Sequence, residues 1–232
     1  MATVLNGPST LHPILEAHRL WLEQKPGGLR ADLSGKMLTD MKLHGVDLRG
    51  AVLRSASFLD SDLTGANLSG ADLKGADMRK ATFVLTDLSG ADLSGASLQH
   101  ALLAEANLSE AQLADCRFQR ANMRECRFFE ARLSGCDFTE ANLTGAHFNH
   151  SFIVECVFHR TVLDGARFLH ARIQSTQFSG VNLDRSDFSL ASVGGCEFRG
   201  GQITSARFGR ADLRRSNFHR TDLSGSNFQA AN

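Results

Sequence analysis

The 232-residue chain carries 25 basic and 25 acidic residues, so its formal net charge at pH 7 is zero. This balance excludes the strong basicity by which many nucleic-acid-binding and membrane-surface proteins are recognised. No apolar run approaches the roughly 18 residues of a membrane span, and no signal-peptide pattern opens the sequence. We therefore expect a cytoplasmic protein with no membrane partner.

Residues 1–30 form an N-terminal segment in which the pattern predicts one α-helix over about residues 10–24. Thr10 can serve as the N-cap, and Pro13 is tolerated in the first helical turn. Pro26, Gly27 and Gly28 are expected to end the helix. Its predicted apolar face consists of Leu11, Ile14, Leu15, His18, Trp21 and Leu22.

A five-residue period runs from Ala31 to Ala230 without insertion or deletion. The middle residue of each pentapeptide, from Leu33 to Phe228, is always Leu, Phe, Ile, Met or Val. Two residues before each centre lies a small residue, except at Lys36 and Met41. A period of five fits neither an α-helix nor a long alternating strand, but it fits a short extended side and a turn, repeated.

This pattern resembles the pentapeptide-repeat protein family over residues 31–230. The resemblance implies an all-β fold, a right-handed quadrilateral parallel β-helix in which four pentapeptides make one coil. The chain would then form about ten coils, roughly 48 Å long at about 4.8 Å per coil. Residues 231–232 are left as a tail, and the N-terminal helix is expected to cap the first coil.

The square arrangement predicts columns of side chains twenty residues apart. From Phe118 onward Phe occupies every second centre, so two Phe columns should face each other across the core, with rings stacked offset. The five cysteines also fall at the small inward position. They could form a disulfide or metal ladder, but parallel inward side chains and a reducing compartment favour their role as small apolar fillers.

The sequence contains no phosphate loop, zinc motif or hydrolase motif, so we predict a protein that is not an enzyme and needs no cofactor. The one potential metal-binding set comprises Glu130, His150 and His170, stacked at the same corner of three successive coils. A straight column does not converge on a tetrahedral metal. A basic strip with titratable histidines that receives an acidic partner is a better interpretation than a metal site, and an ordinary solvated face is the interpretation favoured over both.

Outward-facing apolar side chains and neighbouring bases mark candidate partner contacts. They are Val84, Leu85, Leu102, Arg127, Phe129, Phe152, Arg167 and Leu169, with Val154 beside Phe152. At the other end of the repeat, an uncovered last coil is expected to form a tail-to-tail homodimer through Phe218, Leu223 and Phe228.

Two functions are compatible with these features. The first is a rigid scaffold that binds a protein partner of unknown identity. The second follows from the resemblance, because family members include proteins that protect bacterial DNA gyrase from quinolones and toxins. A DNA-mimicking gyrase binder would use the carboxylates of Asp32, Asp47, Asp62, Asp72, Asp77, Asp87 and Asp92 in place of phosphates.

The charge distribution disfavours this mimicry. Residues 31–115 carry 12 acids and 7 bases, net −5, but residues 116–232 carry 11 acids and 15 bases, net +4. Direct nucleic-acid binding ranks third.

Overall fold

The computed structural model describes the backbone of residues 8–232 and the side chains from Leu11 onward. The chain forms one helix followed by a parallel β-solenoid. Helix α1 spans Pro8–Leu22. The strands are β1 (Gln112–Ala114), β2 (Arg132–Ser134), β3 (Phe152–Val154), β4 (Arg172–Gln174) and β5 (Ser192–Gly194), and they form one sheet in that order.

The register of the solenoid is twenty residues. Each of the first four strands pairs in parallel with the strand twenty residues later, so that Arg132 lies beside Phe152 and Phe152 beside Arg172. Single parallel bridges repeat the same separation from Asp32–Val52 to Arg207–Asn227. The parallel solenoid predicted from the period is therefore present, whereas its right-handed winding, square cross-section and ten coils stay predictions.

The backbone turns at every fifth residue. From Gly35 to Ala230, each residue at a multiple of five has a positive φ, between 51° and 72°. Glycine adopts this left-handed conformation freely, while other L-residues pay a conformational penalty. The N–H of such a corner residue donates across the coils, as from Gly35 to the carbonyl of Arg54 (2.8 Å), so each turn is fixed by the coil beside it.

The core contains two columns of stacked phenylalanine rings. In one column Phe118, Phe138 and Phe158 stack at centroid distances of 4.8 and 4.7 Å, with interplanar angles of 4° and 6°. The facing column is built in the same way, and rings of the two columns meet edge to face, as Phe148 and Phe158 do at 6.3 Å. Both arrangements suit the quadrupole of the ring. The predicted Phe columns are confirmed.

The cysteines are buried free thiols. The Sγ of Cys126 donates a hydrogen bond to the carbonyl of Leu103 (2.8 Å), and that of Cys116 to the carbonyl of Leu93 (3.1 Å). Thr86 and Thr161 use the same position in the same way. Burial raises the pKa of the Cys126 thiol, and raises that of Cys196 to about 11. These thiols are packing groups and hydrogen-bond donors, not a disulfide ladder.

Helix α1 packs against the first coil. Leu11 is buried with the solenoid core, and Ile14 and Leu15 pack against it. His18 is fully buried, and its Nδ1 accepts a hydrogen bond from the backbone N–H of Ala31 (3.0 Å). Helix α1 therefore lies where the sequence placed a cap. Its 15 residues are too few to cross a membrane, and residues 8–232 contain no longer helix.

Both predicted limits of this helix are wrong by two residues. It begins at Pro8, because Pro is suited to a first turn, and Thr10 lies inside it instead of capping it. It ends at Leu22 because Gln24 turns left-handed with φ 55°. Lys25 then donates to the carbonyl of Leu20 and Gln24 to that of Trp21, which is a Schellman motif. Pro26 and the two glycines follow the helix end and do not cause it.

We predict that Phe158→Ala lowers the free energy of unfolding by about 3–5 kcal/mol, because it leaves a cavity between two stacked rings and one edge contact. Reversible chemical unfolding measures this difference. Phe129→Ala is the matched control, since Phe129 is 43% exposed and lies outside both columns. A loss well under 1 kcal/mol at Phe158 would contradict the column assignment.

We predict that acid weakens the attachment of α1 through His18. Burial lowers the pKa of His18, with partial opposition from the Asp47 carboxylate, so the folded chain favours neutral imidazole. The unfolded chain binds the proton first, near its ordinary pKa of about 6.5. The His18 contribution is therefore complete above that pH and declines as the pH falls below it.

The melting temperature from pH 7.5 to 5 checks this prediction. His18→Asn keeps a side-chain acceptor for the N–H of Ala31 but removes the titration, so it should flatten part of the pH profile. Equal slopes for both proteins would show that His18 does not link pH to stability. His147, whose pKa is also lowered by burial and by Arg167, contributes equally to both profiles and cancels in the comparison.

Candidate functional site

The outer face of the five-stranded sheet carries an aromatic ring between two guanidinium groups. Strands β2, β3 and β4 place Arg132, Phe152 and Arg172 side by side. The Cζ atoms of Arg132 and Arg172 lie over the Phe152 ring, at 5.0 and 5.3 Å from its centroid. Because the arginines come from opposite neighbours, they cover both faces of the ring. Each cation–π contact is worth about 0.5–1 kcal/mol at an exposed site.

The corner before each of these strands carries a second column. Glu130, His150 and His170 occupy it with φ values of 56°, 60° and 57°. The imidazoles of His150 and His170 stack at 5.0 Å, and Phe129 meets the His150 ring edge to face at 5.4 Å. The structure therefore brings these predicted residues together as a stacked row, next to the sheet column.

A groove of about 550 Å³ runs between the two columns. Its lining includes Arg132, His150, Phe152, His170 and Arg172, with Leu190 and Ser192 farther along. We call the groove and its rim the Phe152 surface. It is defined by Phe129, Glu130, Arg132, His150, Phe152, His170, Arg172 and Leu190.

The arginines of this surface differ from other bases on the same face in their lack of acidic partners. Arg54 pairs with Asp72 at 2.6 Å, Lys74 with Asp92 at 2.9 Å, and Arg214 with Asp212 at 2.6 Å. Within residues 8–232, neither Arg132 nor Arg172 makes a salt bridge, although Glu130 lines the same groove. Their guanidinium groups retain donors that face solvent.

The predicted contacts Arg127, Arg167 and Leu169 lie on the adjoining side. Arg127, His147 and Arg167 follow one another at the twenty-residue register. Both arginines are exposed. Leu169 is half-buried, and its N–H donates to the side-chain oxygen of Asn149 at 3.1 Å. This side extends the positive charge next to the Phe152 surface.

A second apolar cluster lies away from the Phe152 surface. Leu85 is 59% exposed and Leu102 44% exposed, while Val84 is half-buried. Leu85 also has a φ of 57°, a conformation that bulky L-residues rarely adopt. An exposed leucine in a strained turn stabilises the fold poorly, so this cluster remains a separate candidate contact.

The candidate dimer residues belong to the core columns of the last coils. Phe218 stacks on Phe198 at 4.6 Å, and Phe228 stacks on Phe208 at 4.8 Å. Phe218 and Leu223 are half-buried, while Phe228 is 36% exposed. These side chains are more exposed than the rings earlier in each column.

No group of three or more His, Cys, Asp or Glu side chains within the described part of the chain has the arrangement of a metal site. Glu130, His150 and His170 form a row instead. The sequence interpretation did not identify Arg132 and Arg172 as site residues. Their spacing could have identified them as neighbours of Phe152, since each lies twenty residues from it. Their placement over its ring depends on side-chain conformation, which the spacing does not determine.

Two family models match the repeat region of this chain. A model described as a pentapeptide repeat region matches residues 91–168 and 151–228. A second model, of eight pentapeptide-repeat copies, matches residues 31–70 and 66–104. The chain belongs to the pentapeptide-repeat family. The matched residues cover the described chain from the first bridge to the last coil, so they confirm the family resemblance read from the five-residue period.

Solved pentapeptide-repeat structures are similar to this chain. HetL of the cyanobacterium Nostoc sp. strain PCC 7120, involved in heterocyst differentiation regulation, is 26% identical over 92% of this chain and 91% of its own, with a TM-score of 0.46. QnrB1, a plasmid-mediated fluoroquinolone resistance protein, is 22% identical over 82% and 88%, with a TM-score of 0.42. The Nostoc protein alr5209 is 30% identical over 56% and 88%, with a TM-score of 0.24. No curated protein gives a significant match.

We predict that Leu85→Gly raises the free energy of unfolding by about 1 kcal/mol, because glycine removes the left-handed penalty and little buried area is lost. Denaturant unfolding measures the change. Leu102→Ala is the control, since Leu102 belongs to the same cluster and has no positive φ. A loss of stability at Leu85 would show that its side chain supports the fold.

Proposed function

We propose that this pentapeptide-repeat chain is a non-enzymatic interaction scaffold, a right-handed, four-sided rod of about ten coils that binds a protein partner at the Phe152 surface. The observation that carries the proposal is the outward-facing Arg132–Phe152–Arg172 column, in which two exposed, unpaired cations lie over a half-buried aromatic ring. Aromatic residues, including Phe, and Arg are enriched at protein–protein interfaces.

The backbone beneath this surface supports recognition. Its strands are tied to both neighbours, as β3 is to β2 and β4, and its centres Leu133, Ile153 and Ile173 are buried. A surface held in this way loses little conformational entropy when a partner binds. The surface is an open row of arginine, imidazole and aromatic groups. Such a row is better suited to binding a partner than to stabilising the charges that develop during a chemical reaction.

The alternative is a DNA-mimicking protein that binds DNA gyrase, as the resemblance implies. Mimicry needs free carboxylates in the positions of phosphates. Of the seven aspartates expected to supply them, four are ion-paired with Arg or Lys, namely Asp47, Asp72, Asp77 and Asp92, and Asp62 is hydrogen-bonded to the His44 ring. Pairing reduces the negative potential of this half of the rod, so we rank gyrase binding second.

Homodimerisation is a separate proposal. The exposure of Phe228 and the partial exposure of Phe218 and Leu223 support a contact between two copies through these residues. This contact would lie on the last coils and would leave the Phe152 surface free for a different partner. The scaffold proposal therefore does not depend on it.

Site-specific photo-crosslinking in the source cell tests the scaffold proposal. With p-benzoylphenylalanine at position 129, on the rim of the Phe152 surface, we expect discrete protein adducts that are lost in a Phe152→Ser background. The same probe at Val162, which is 37% exposed and lies on a different side, is the matched control. Equal adducts at both positions, or none at position 129, would contradict the proposal.

Supercoiling by purified gyrase tests the alternative in parallel. The scaffold proposal expects neither inhibition nor protection from a quinolone at tens of micromolar chain. Inhibition that disappears when Asp32 and Asp87, the two of the seven aspartates that contact no basic side chain in a salt bridge, are changed to Asn would favour gyrase mimicry instead.

A further inference from the structure

We infer that the segment bound at the Phe152 surface is an extended acidic peptide, with two carboxylates about 10 Å apart that pair with Arg132 and Arg172. This inference rests on the proposed function and names the chemistry of its partner. It follows from the charge, spacing and shape of the groove.

The charge of the groove selects an anion. Bases elsewhere on this face are neutralised by aspartates, as Arg54 is by Asp72. Arg132 and Arg172 use an aromatic ring instead, which holds a guanidinium in place and leaves its N–H edge available for a bidentate carboxylate. Glu130 is the acidic residue of the groove lining, and it forms no salt bridge with either arginine in the described structure.

The spacing selects two anions on one extended segment. The guanidinium carbons lie 5.0 and 5.3 Å from the Phe152 centroid on opposite sides, so the two cations are roughly 10 Å apart along the solenoid axis. In a polyproline II segment, residues three positions apart lie on the same side and are separated by about 9.3 Å. Acidic residues at positions i and i+3 of such a segment match the two arginines.

The groove gives this segment a continuous path. Beyond Arg172 the groove reaches Ser192, where it adjoins a second hollow of about 340 Å³ that Phe152, Arg172 and Ser192 also line. Gly194 lines this second hollow, and a Cβ placed on it would meet no atom within 4 Å. The small side chains leave open space at this end of the groove. Phe129 and Leu190, which are 43% and 42% exposed, offer apolar contacts along the rim. A peptide of several residues therefore fits better than an isolated small anion.

A single-stranded nucleic acid fits the same groove less well. Proteins that bind single strands stack bases on open aromatic faces. Both faces of Phe152 are covered by arginines, and the rings of His150 and His170 stack on each other. The aromatic groups can therefore offer a base little more than their edges, which makes the peptide the favoured ligand.

Fluorescence anisotropy with the full chain tests the inference. The probe is a fluorescein-labelled, proline-rich twelve-residue peptide with Glu at positions 5 and 8, and its control carries Gln at both. We expect binding of the Glu peptide that weakens as salt rises, and loss of binding by about tenfold or more in Arg132→Gln/Arg172→Gln. The matched control is Arg199→Gln/Arg220→Gln, which removes the same charge from another side and should change affinity less than about twofold.

A third variant separates the groove from general charge attraction. Gly194→Leu keeps both arginines and adds a side chain where space is open, so it should weaken the Glu peptide severalfold. The inference is overturned if the Gln peptide binds equally well, if the two arginine pairs have equal effects, or if labelled oligothymidine binds more tightly than the Glu peptide and depends on Arg132 and Arg172. Circular dichroism melts confirm that each variant remains folded.

The two proposals fail in different experiments. If cross-linking at position 129 succeeds but the Glu peptide shows no dependence on Arg132 and Arg172, the scaffold stands and its partner is not acidic. If the peptide binds as expected but position 129 gives no adducts in the cell, the groove has the inferred chemistry and the scaffold proposal fails.

Discussion

The left-handed residue at every fifth position is the constraint on which the rest of the structure depends. It turns the chain after each short extended side, and it recurs without a gap from Gly35 to Ala230. Many of these residues are not glycine, so the fold accepts a conformational penalty at each such corner. The hydrogen bonds between coils offset this cost, because the corner N–H and the centre N–H both donate to the neighbouring coil. An insertion in one pentapeptide would therefore disturb its own turn and the pairing of two adjacent coils.

The same register determines what the core can contain. Because side chains recur in line every twenty residues, a Phe at one centre meets a Phe from the next coil at stacking distance, as Phe168 meets Phe188 at 4.4 Å. The small inward residue then decides how the remaining space and polar groups are used. Where that residue is Thr or Cys instead of Ala, its side chain donates to a backbone carbonyl. Thr161 donates to Phe138 of the previous coil at 2.8 Å, whereas Thr176 donates to Gln174, two residues earlier, at 3.0 Å. Polar atoms thus enter the core with partners provided by the register.

Sequence periodicity predicted the features that depend on register alone. The parallel solenoid, the Phe columns and the neighbourhood of His150 and His170 follow from the five-residue count together with the family resemblance, which implied four pentapeptides, or twenty residues, per coil. The period did not predict features that depend on alternative local conformations of the backbone or of a side chain. The predicted end of α1 was wrong because Gln24, and not Gly27, is the first residue after the helix with a left-handed conformation. Glycine adopts that conformation more readily than glutamine, so the sequence favoured the later position. The sequence did not predict the guanidinium groups over Phe152. The Arg132 side chain can contact either the Phe152 ring or the carboxylate of Glu130, and the repeat period does not determine which contact forms.

The corner residues connect the fold to the candidate function. Glycine would be the least strained choice at every corner, and the chain uses it at Gly135, Gly145 and Gly165. Along the edge of the Phe152 surface, the corners are instead Glu130, His150, His170 and Leu190, all with positive φ. Non-glycine corners also occur elsewhere along the rod, as at Lys80, His100 and Arg120, so the backbone penalty alone does not distinguish this edge. Stacking between the two imidazoles recovers part of that cost, but Leu190 is 42% exposed and recovers little through burial. Exposed apolar side chains at Phe129 and Leu190, beside two arginines without salt bridges, are better explained by contact with a partner than by stability of the rod itself.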